Sequence, residues 1–501
     1  MTRQIRRLGI AFLVLYAILF LKLNQVQVFQ AEALTDRPEN TRVLQRDFNE
    51  PRGDIVSADG AVLATSEERR AALRYQRVYP DGEMFAHITG FYSFSLGADG
   101  VERQYNDDLA GRTPALELNQ LGAFLTAESS EGDVLLTVRK DVQTVARDAL
   151  AGQEGSVVAL DPRDGSILAM YSNPTFDPNV VSDNNTERAS DAKVLFDAAE
   201  GAPLLAHAYR ERYFPGSTFK VVTATAGLSD GSVTPQTPDY PVVTEYTPPL
   251  TTKSISNFGG SSCGGTLFAI LAQSCNSSFS QMGVEQVGAD DMVESAEAFG
   301  FNAKPPIDLP NPAESAFPTD FGAVVSRPEG VAPVNEDAPR LAQSSIGQND
   351  VAATPLQMAL VAAGVANGGE IMTPHVLKSV RARDGEVVRT YEPSAWRRAA
   401  EPSVAATMRE AMVGVVTDGT ATGMQITGQE VGAKTGTAQL GTEPATSHAW
   451  MIAFAGPPGE PPRVAVAVVV TNVSGASNQT GGRVAGPVAR AVAEAALGVS
   501  E

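Results

Sequence analysis

One lysine constrains this chain more than any other residue. The stretch Phe214-Pro215-Gly216-Ser217-Thr218-Phe219-Lys220 runs straight into the apolar segment Val221 to Leu228, which stops at Asp230-Gly231. Pro215 and Gly216 break whatever precedes them. Phe219, Val222 and Ala226 recur at helical spacing, so the stretch predicts a buried helix with Ser217 in its first turn. There the free N–H groups and the positive end of the helix dipole favour a nearby anion. Lys220 falls one turn on, on the same face as Ser217. An ammonium is costly to bury among apolar side chains, so its pKa is pushed down. A neutral lysine beside a serine is a general base beside a nucleophile.

The spacing alone is common. The chain has eight lysines, and Ser190 with Lys193 fits Ser-x-x-Lys as well. That second pair lies in a polar stretch without apolar periodicity and reads as a solvated loop or helix face. Two later motifs single out Ser217. Ser274-Cys275-Asn276 ends an apolar helix that carries Leu267, Ile270 and Leu271, so its polar groups can line a cleft. Lys434-Thr435-Gly436-Thr437 lies in a predicted strand, Glu430 to Leu440, where Gly436 would leave room for a substrate backbone alongside. Lys434 offers a fixed positive charge, and the hydroxyls of Thr435 and Thr437 can orient a carboxylate. Ser182-Asp183-Asn184 also fits Ser-x-Asn, but it precedes Ser217 and sits in a polar loop.

The N-terminus sets the compartment. Arg3, Arg6 and Arg7 precede an unbroken apolar run, Leu8 to Leu21. A basic flank before an apolar helix places the rest of the chain outside the cytoplasm. The run is short for a span of ~20 residues, but it can extend through Lys22 toward Phe29. Ala31-Glu32-Ala33 resembles a signal-peptidase site but stands far from the apolar core, so a permanent single-pass anchor is the better reading. The only cysteines, Cys263 and Cys275, then lie in an oxidising compartment, close enough in sequence to pair as a disulfide. A formal net charge of -20 argues against a nucleic-acid partner. His87, His207, His375 and His448 are scattered without ligand spacing, so neither a metal nor another cofactor is expected.

With 501 residues there is room for several domains. Residues 52–64 read as a hairpin closed at Asp59-Gly60, and residues 45 to about 135 as a small, irregular, strand-rich unit. A helix is expected over Asp141 to Leu150, then strands Ser156 to Leu160 and Ser166 to Tyr171. Residues 173–178 and 230–257 read as loops. Helical patterns cover Leu267 to Val287, Met292 to Phe299 and Pro355 to Ala366. Three strands (Glu430 to Leu440, Trp450 to Ala455, Val464 to Thr471) and a helix, Ala485 to Leu497, close the chain. Strands at both ends with helices between predict an α/β (α+β) domain whose one sheet is assembled from both ends.

Ser-x-x-Lys, then Ser-x-Asn, then Lys-Thr-Gly is the active-site set of penicillin-binding proteins and serine β-lactamases. Arg52-Gly53-Asp54-Ile55 with Asp59-Gly60, and Gly100-Val101-Glu102 with Leu109-Ala110-Gly111, resemble the non-catalytic pedestal of class B penicillin-binding proteins. Residues 157–170, Gly347-Gln348, Thr354-Pro355-Leu356-Gln357 and Ala366-Asn367-Gly368-Gly369 resemble their transpeptidase domain. The short pedestal and stretches such as 73–80 and 89–93 are most similar to the actinobacterial branch. The resemblance covers nearly the whole chain. It implies a cytoplasmic tail over 1–7, an anchor over 8–28, a pedestal over 29–138 and a transpeptidase domain over 139–501 with a five-stranded antiparallel sheet flanked by helices.

The resemblance also implies an activity: a peptidoglycan D,D-transpeptidase that β-lactams acylate. Ser217 would be the nucleophile, Lys220 the group taking its proton, Ser274 a proton relay and Asn276 a holder of Lys220 and substrate. Lys434, Thr435 and Thr437 would bind the donor carboxylate beside Gly436. The implied partners are stem peptides, the membrane, and cell-wall synthesis proteins that include a glycosyltransferase of the SEDS family. The competing readings are a D,D-carboxypeptidase, a non-catalytic scaffold, and a β-lactamase, which would be shorter and without the pedestal.

Overall fold

The structure is a computed structural model and describes residues 2–25, 42–116, 131–443, 445–474 and 480–499. The first helix, α1 (Thr2–Asn24), begins within the basic flank rather than after it. Its 22 residues from Arg3 are apolar enough to cross a membrane, and at 1.5 Å per residue they reach ~33 Å. The extension toward Phe29 and the Ala31-Glu32-Ala33 site lie outside the described residues.

The expected hairpin forms between β1 (Ile55–Val56) and β2 (Val62–Glu68), and β2 pairs with β3 (Tyr75–Val78). Strand β4 (Gly132–Leu136) lies parallel to β1. Segments that looked irregular form short helices at Ala86–Thr89, Gly100–Gln104 and Asn106–Leu109. One buried carboxylate organises this unit. Glu102 accepts from Arg52 Nε at 2.7 Å and Arg77 Nε at 2.6 Å, and the Arg52 guanidinium lies 4.1 Å from the centre of the Tyr92 ring. Burial raises the Glu102 carboxyl, and the charges of Arg77 and Arg52 more than reverse this, leaving it below its ordinary value.

The larger unit opens with α2 (Lys140–Leu150), β5 (Gly155–Leu160) and β6 (Ile167–Asn173). Next come α3 (Lys220–Ser229), α4 (Leu267–Gln273), α5 (Asn276–Gln281) and α6 (Pro355–Ala366). The helical pattern expected over 267–287 is divided at Ser274, whose φ is 59°, where the motif was expected to end a helix. The expected loop over 230–257 contains short strands, Tyr240–Val243 paired with Cys263–Gly265 and Glu245–Tyr246 paired with Ile255–Ser256. Strands β7 (Leu377–Ala382) and β8 (Val387–Thr390) return to the N-terminal unit and give its sheet the order β8-β7-β4-β1-β2-β3.

After α7 (Pro402–Thr417) come β9 (Glu430–Gln439), β10 (Thr446–Gly456), β11 (Val464–Ser474) and α8 (Gly481–Leu497). The second sheet runs β9-β10-β11-β5-β6, antiparallel throughout. Seven consecutive residues of β11, Val464 to Val470, are buried, which requires cover on both faces. α2 and α8 pack together and on the sheet, and α6, buried along its whole length, packs on its central strands.

Polar contacts tie the two units together. Arg210 forks onto Asp99, with both N–H···O distances 2.7 Å, and Tyr105 donates to Asp308 at 2.5 Å.

Because Glu102 neutralises two buried arginines, Glu102→Ala should cost about 3–5 kcal/mol of unfolding free energy. Lys193→Ala, at the exposed Lys193–Asp197 pair, should cost about 0.5 kcal/mol or less. Urea denaturation of the full chain in detergent measures both.

Candidate active site

Ser217 sits in a short 3-10 turn, Gly216–Phe219, that feeds directly into α3. Gly216 has φ +54°, a left-handed value that favours glycine. The turn is held from several sides. The Gly216 N–H donates to Gly347 O at 2.9 Å, Thr218 Oγ1 to Pro215 O at 2.7 Å, and Trp450 Nε1 to Phe214 O at 3.0 Å. Strand β9 packs directly on this turn. A Cβ on Gly436 would lie 2.9 Å from both Pro215 O and Thr218 Cγ2. The expectation that Gly436 leaves space for substrate is thus corrected: its missing side chain lets the strand approach the nucleophile turn.

Lys220 is fully buried. Its Nζ donates to Ser274 O at 2.7 Å and to Asn276 Oδ1 at 2.7 Å, and lies 3.3 Å from Ser274 Oγ. The left-handed turn at Ser274, between α4 and α5, is what aims both of these oxygens back at the lysine. Lys434, also fully buried, donates from Nζ to Ser274 Oγ at 2.7 Å and to Thr435 O at 2.9 Å. Burial, and then the nearby charge of Lys434, hold the Lys220 amine well below its ordinary value. Burial brings Lys434 down to about 7.

These distances fix an orientation. A neutral lysine has two N–H groups, and Ser274 O and Asn276 Oδ1 take both. The lone pair of Lys220 is left for Ser274 Oγ or for Ser217. Ser274 Oγ in turn accepts from Lys434, so its own proton is free to point at Lys220 or into the cleft. Among the described residues the Ser217 hydroxyl makes no hydrogen bond.

Ser217, Ser274, Asn276, Thr435 and Thr437 all line one cleft of about 730 Å³. Its remaining polar lining came from no motif. Thr420 Oγ1 lies 2.8 Å from Thr435 Oγ1, and Asn276 Nδ2 donates to Ser256 O at 3.0 Å. Gln273, Gln343, Gln348 and Gln439 are among the other residues of the wall. Cys263 and Cys275 form a disulfide with Cα atoms 5.9 Å apart, which links the Cys263–Gly265 strand to the Ser274 turn. The decoys lie elsewhere. Ser190 and Lys193 are on the helix Thr186–Ala198, and Asn184 donates to Tyr75 O in the N-terminal unit.

A serine, two buried lysines and a hydroxyl between them, under an edge strand carrying Lys-Thr-Gly-Thr, define an active-site serine acyltransferase. Residues 155–494 match the family model of the penicillin binding protein transpeptidase domain, and residues 52–135 that of the penicillin binding protein A dimerisation domain. The chain belongs to the penicillin-binding protein transpeptidase family. It is 38% identical over 514 residues to the peptidoglycan D,D-transpeptidase PbpA of Mycolicibacterium smegmatis, covering 99% of each chain. To PbpA of Mycobacterium tuberculosis it is 37% identical over 509 residues, again covering 99% of each. Among solved structures it is similar to the ceftriaxone acyl-enzyme complex of penicillin-binding protein A from M. tuberculosis (TM-score 0.80, 36% identity, covering 90% of this chain and 100% of that one). The penicillin G acyl-enzyme complex of the same protein gives a TM-score of 0.79 at 36% identity, covering 89% of this chain and 99% of that one.

The buried lysines have a consequence for stability. Lys434 binds its proton less tightly folded, at about 7, than unfolded, at 10.5. Between these values the unfolded chain holds more protons, so stability rises with pH, by about 1.4 kcal/mol per pH unit for each such lysine. Lys434→Met should remove about one proton's worth of slope between about pH 7.5 and about pH 9 in denaturation measured across that range.

Proposed function

We propose that this chain is a serine D,D-transpeptidase that joins peptidoglycan stem peptides and is acylated by β-lactams. The observation that carries the reading is the meeting of Lys220 and Lys434 at Ser274 Oγ, with both N–H groups of a neutral Lys220 engaged and Ser217 open to the cleft.

In the proposed reaction Ser217 Oγ attacks the carbonyl of the penultimate D-alanine. Its proton passes to Lys220, directly or through Ser274. The tetrahedral oxyanion is met by the backbone N–H groups of Ser217 and Thr437, a contribution of about 3 kcal/mol per donor. Collapse breaks the peptide bond, and the terminal D-alanine leaves with the proton relayed through Ser274. Lys434, Thr435 and Thr437 hold its carboxylate, and Asn276 holds Lys220 and the substrate amide. The amine of a neighbouring stem then attacks the ester, gives up its proton through the same relay and regenerates Ser217.

The anchor, over 8–28, holds a pedestal over 29–138 and the transpeptidase domain over 139–501 on the outer face of the cell membrane. Anchor and pedestal together would contact a membrane glycosyltransferase of the SEDS family and other cell-wall synthesis proteins. The match of residues 52–135 to the dimerisation-domain model and the apolar first helix support this placement.

Fluorescent penicillin should label the wild type at the peptide containing Ser217, and the adduct should persist. Ser217→Ala should lose all label while unfolding within about 1 kcal/mol of wild type, because it deletes one oxygen at a helix start. A purified stem-peptide donor with an added amine acceptor should give the cross-linked product. Hydrolysis in place of transfer would point to a carboxypeptidase, and a labelled Ser217→Ala variant would sink the assignment of the nucleophile. Cells that grow and cross-link normally on Ser217→Ala but not on deletion of the gene would identify a scaffold.

A further inference from the structure

Three of the chain's four histidines meet outside the cleft, among side chains for which the proposed reaction has no use. The rings of His87, in the N-terminal unit, and His207 are 6.4 Å apart. His448 on β10 lies edge-on to Tyr213, with ring centres 5.2 Å apart. Between His207 and Tyr213 stands one partly exposed carboxylate. His207 Nδ1 hydrogen-bonds Glu211 Oε2, and Tyr213 donates its phenol proton to the same oxygen at 2.7 Å. Burial raises the Glu211 carboxyl, and the hydrogen bonds from His207 and Tyr213 more than reverse this. Burial, and then the charge of Glu211, hold the Tyr213 phenol above its ordinary value, so it stays a donor.

Tyr213 stands four residues before Ser217, and its contacts tie it to the site. Its main chain forms a two-way bridge with Ala353, at 2.9 Å from its N–H and 2.8 Å to its carbonyl. Its ring also meets Trp450 edge-on at 6.4 Å, and Trp450 Nε1 holds Phe214 O. His448 and Trp450 are alternate residues of β10 and so share one face of the strand. Their partners across β9 are Ala438 and Gly436, and the residue between those two is Thr437. The phenol ring thus seats the segment leading into Ser217 against the strand pair that carries Thr437. The seating is close: a Cβ on Gly216 would lie 3.2 Å from both Ala438 N and Thr437 O.

We propose that Glu211 is a positioning residue for acylation: by holding the Tyr213 ring through its hydroxyl, it sets where Ser217 stands relative to the Thr437 N–H. The inference rests on the serine acyl-enzyme reading above. The competing account is aromatic packing alone, in which the ring matters and the hydroxyl does not. A ring released from Glu211 can tilt against Trp450 and shift the main chain at Phe214. Displacing a nucleophile by about 1 Å can cost about 100-fold in rate, so the loss of one tether should cost roughly tenfold.

The test is acylation of the full chain in detergent by penicillin G. Rates taken across a range of concentrations separate the binding constant of the first complex from the acylation rate constant. Tyr213→Phe keeps the ring and deletes one oxygen. It should lower the acylation rate constant roughly tenfold and leave the binding constant within about twofold. Glu211→Ala should do the same, and the double variant should be no worse than either single one, because both remove one interaction. Both hydrogen bonds fall on Oε2, so the single carbonyl oxygen of Glu211→Gln can accept both and should restore most of the rate. Arg212→Ala, at the exposed residue between Glu211 and Tyr213, should leave acylation unchanged. Wild-type constants in Tyr213→Phe would overturn the proposal, as would a loss in Glu211→Gln as large as that in Glu211→Ala. A loss that falls on the binding constant, or one shared by Arg212→Ala, would show loosened packing and overturn it too. A wild type that penicillin does not acylate would instead sink the serine acyl-enzyme reading, and this inference with it.

Discussion

The structure depends on the cost of placing an ammonium where there is no water. Lys220 would lose several kcal/mol if carried into the core charged and unpaired. The fold answers this with two oxygens, a carbonyl and a carboxamide, from the Ser274–Asn276 turn, and with a second lysine whose charge further disfavours a proton on the first. Elements far apart in the chain are needed for it: α3 brings Lys220, the turn between α4 and α5 brings Ser274 and Asn276, and β9 brings Lys434. A reactive serine is the result only because Gly216, Gly347, Gly436 and Trp450 hold the Ser217 turn against β9.

The same demand explains the local irregularities. Ser274 takes a left-handed φ, uncommon for a residue with a side chain. In return its carbonyl and hydroxyl both reach lysines. The disulfide from Cys275 to Cys263 ties the centre of this turn to a neighbouring strand. Farther out, Arg210, seven residues before Ser217, joins its segment to Asp99 in the N-terminal unit.

Much of this could be read from the sequence where a local pattern carried it. Pro355–Ala366 is a helix over the expected residues, and β5, β6, β9 and β11 lie within a few residues of their expected bounds. The apolar run from Val464 announced β11 as a strand, and its cover on both faces came with the structure. Long-range partnerships were not legible. Nothing in Leu377–Ala382 says that it pairs with Gly132–Leu136. The end of a helix at Ser274 was legible from the motif, but the left-handed φ that turns it into α5 was not. Gly436 was read as room for a ligand when its neighbours are Pro215 and Thr218, a contact that exists only once the sheet and α3 are packed. Thr420 and the glutamines of the wall had no motif, being helix, loop or strand residues whose meaning comes from the cleft they face.

The central claim is that burial and the charge of Lys434 hold the Lys220 amine well below its ordinary value, so that it can serve as a base. It can be observed directly by labelling lysine side chains with 13C next to Nζ and following the eight lysine resonances with pH. The account predicts two resonances that titrate far from the rest: one near the value of about 7 set by burial of Lys434, lost in Lys434→Met, and one, lost in Lys220→Met, that titrates well below the ordinary lysine value. A Lys220 resonance that stays protonated up to the ordinary value would contradict the account.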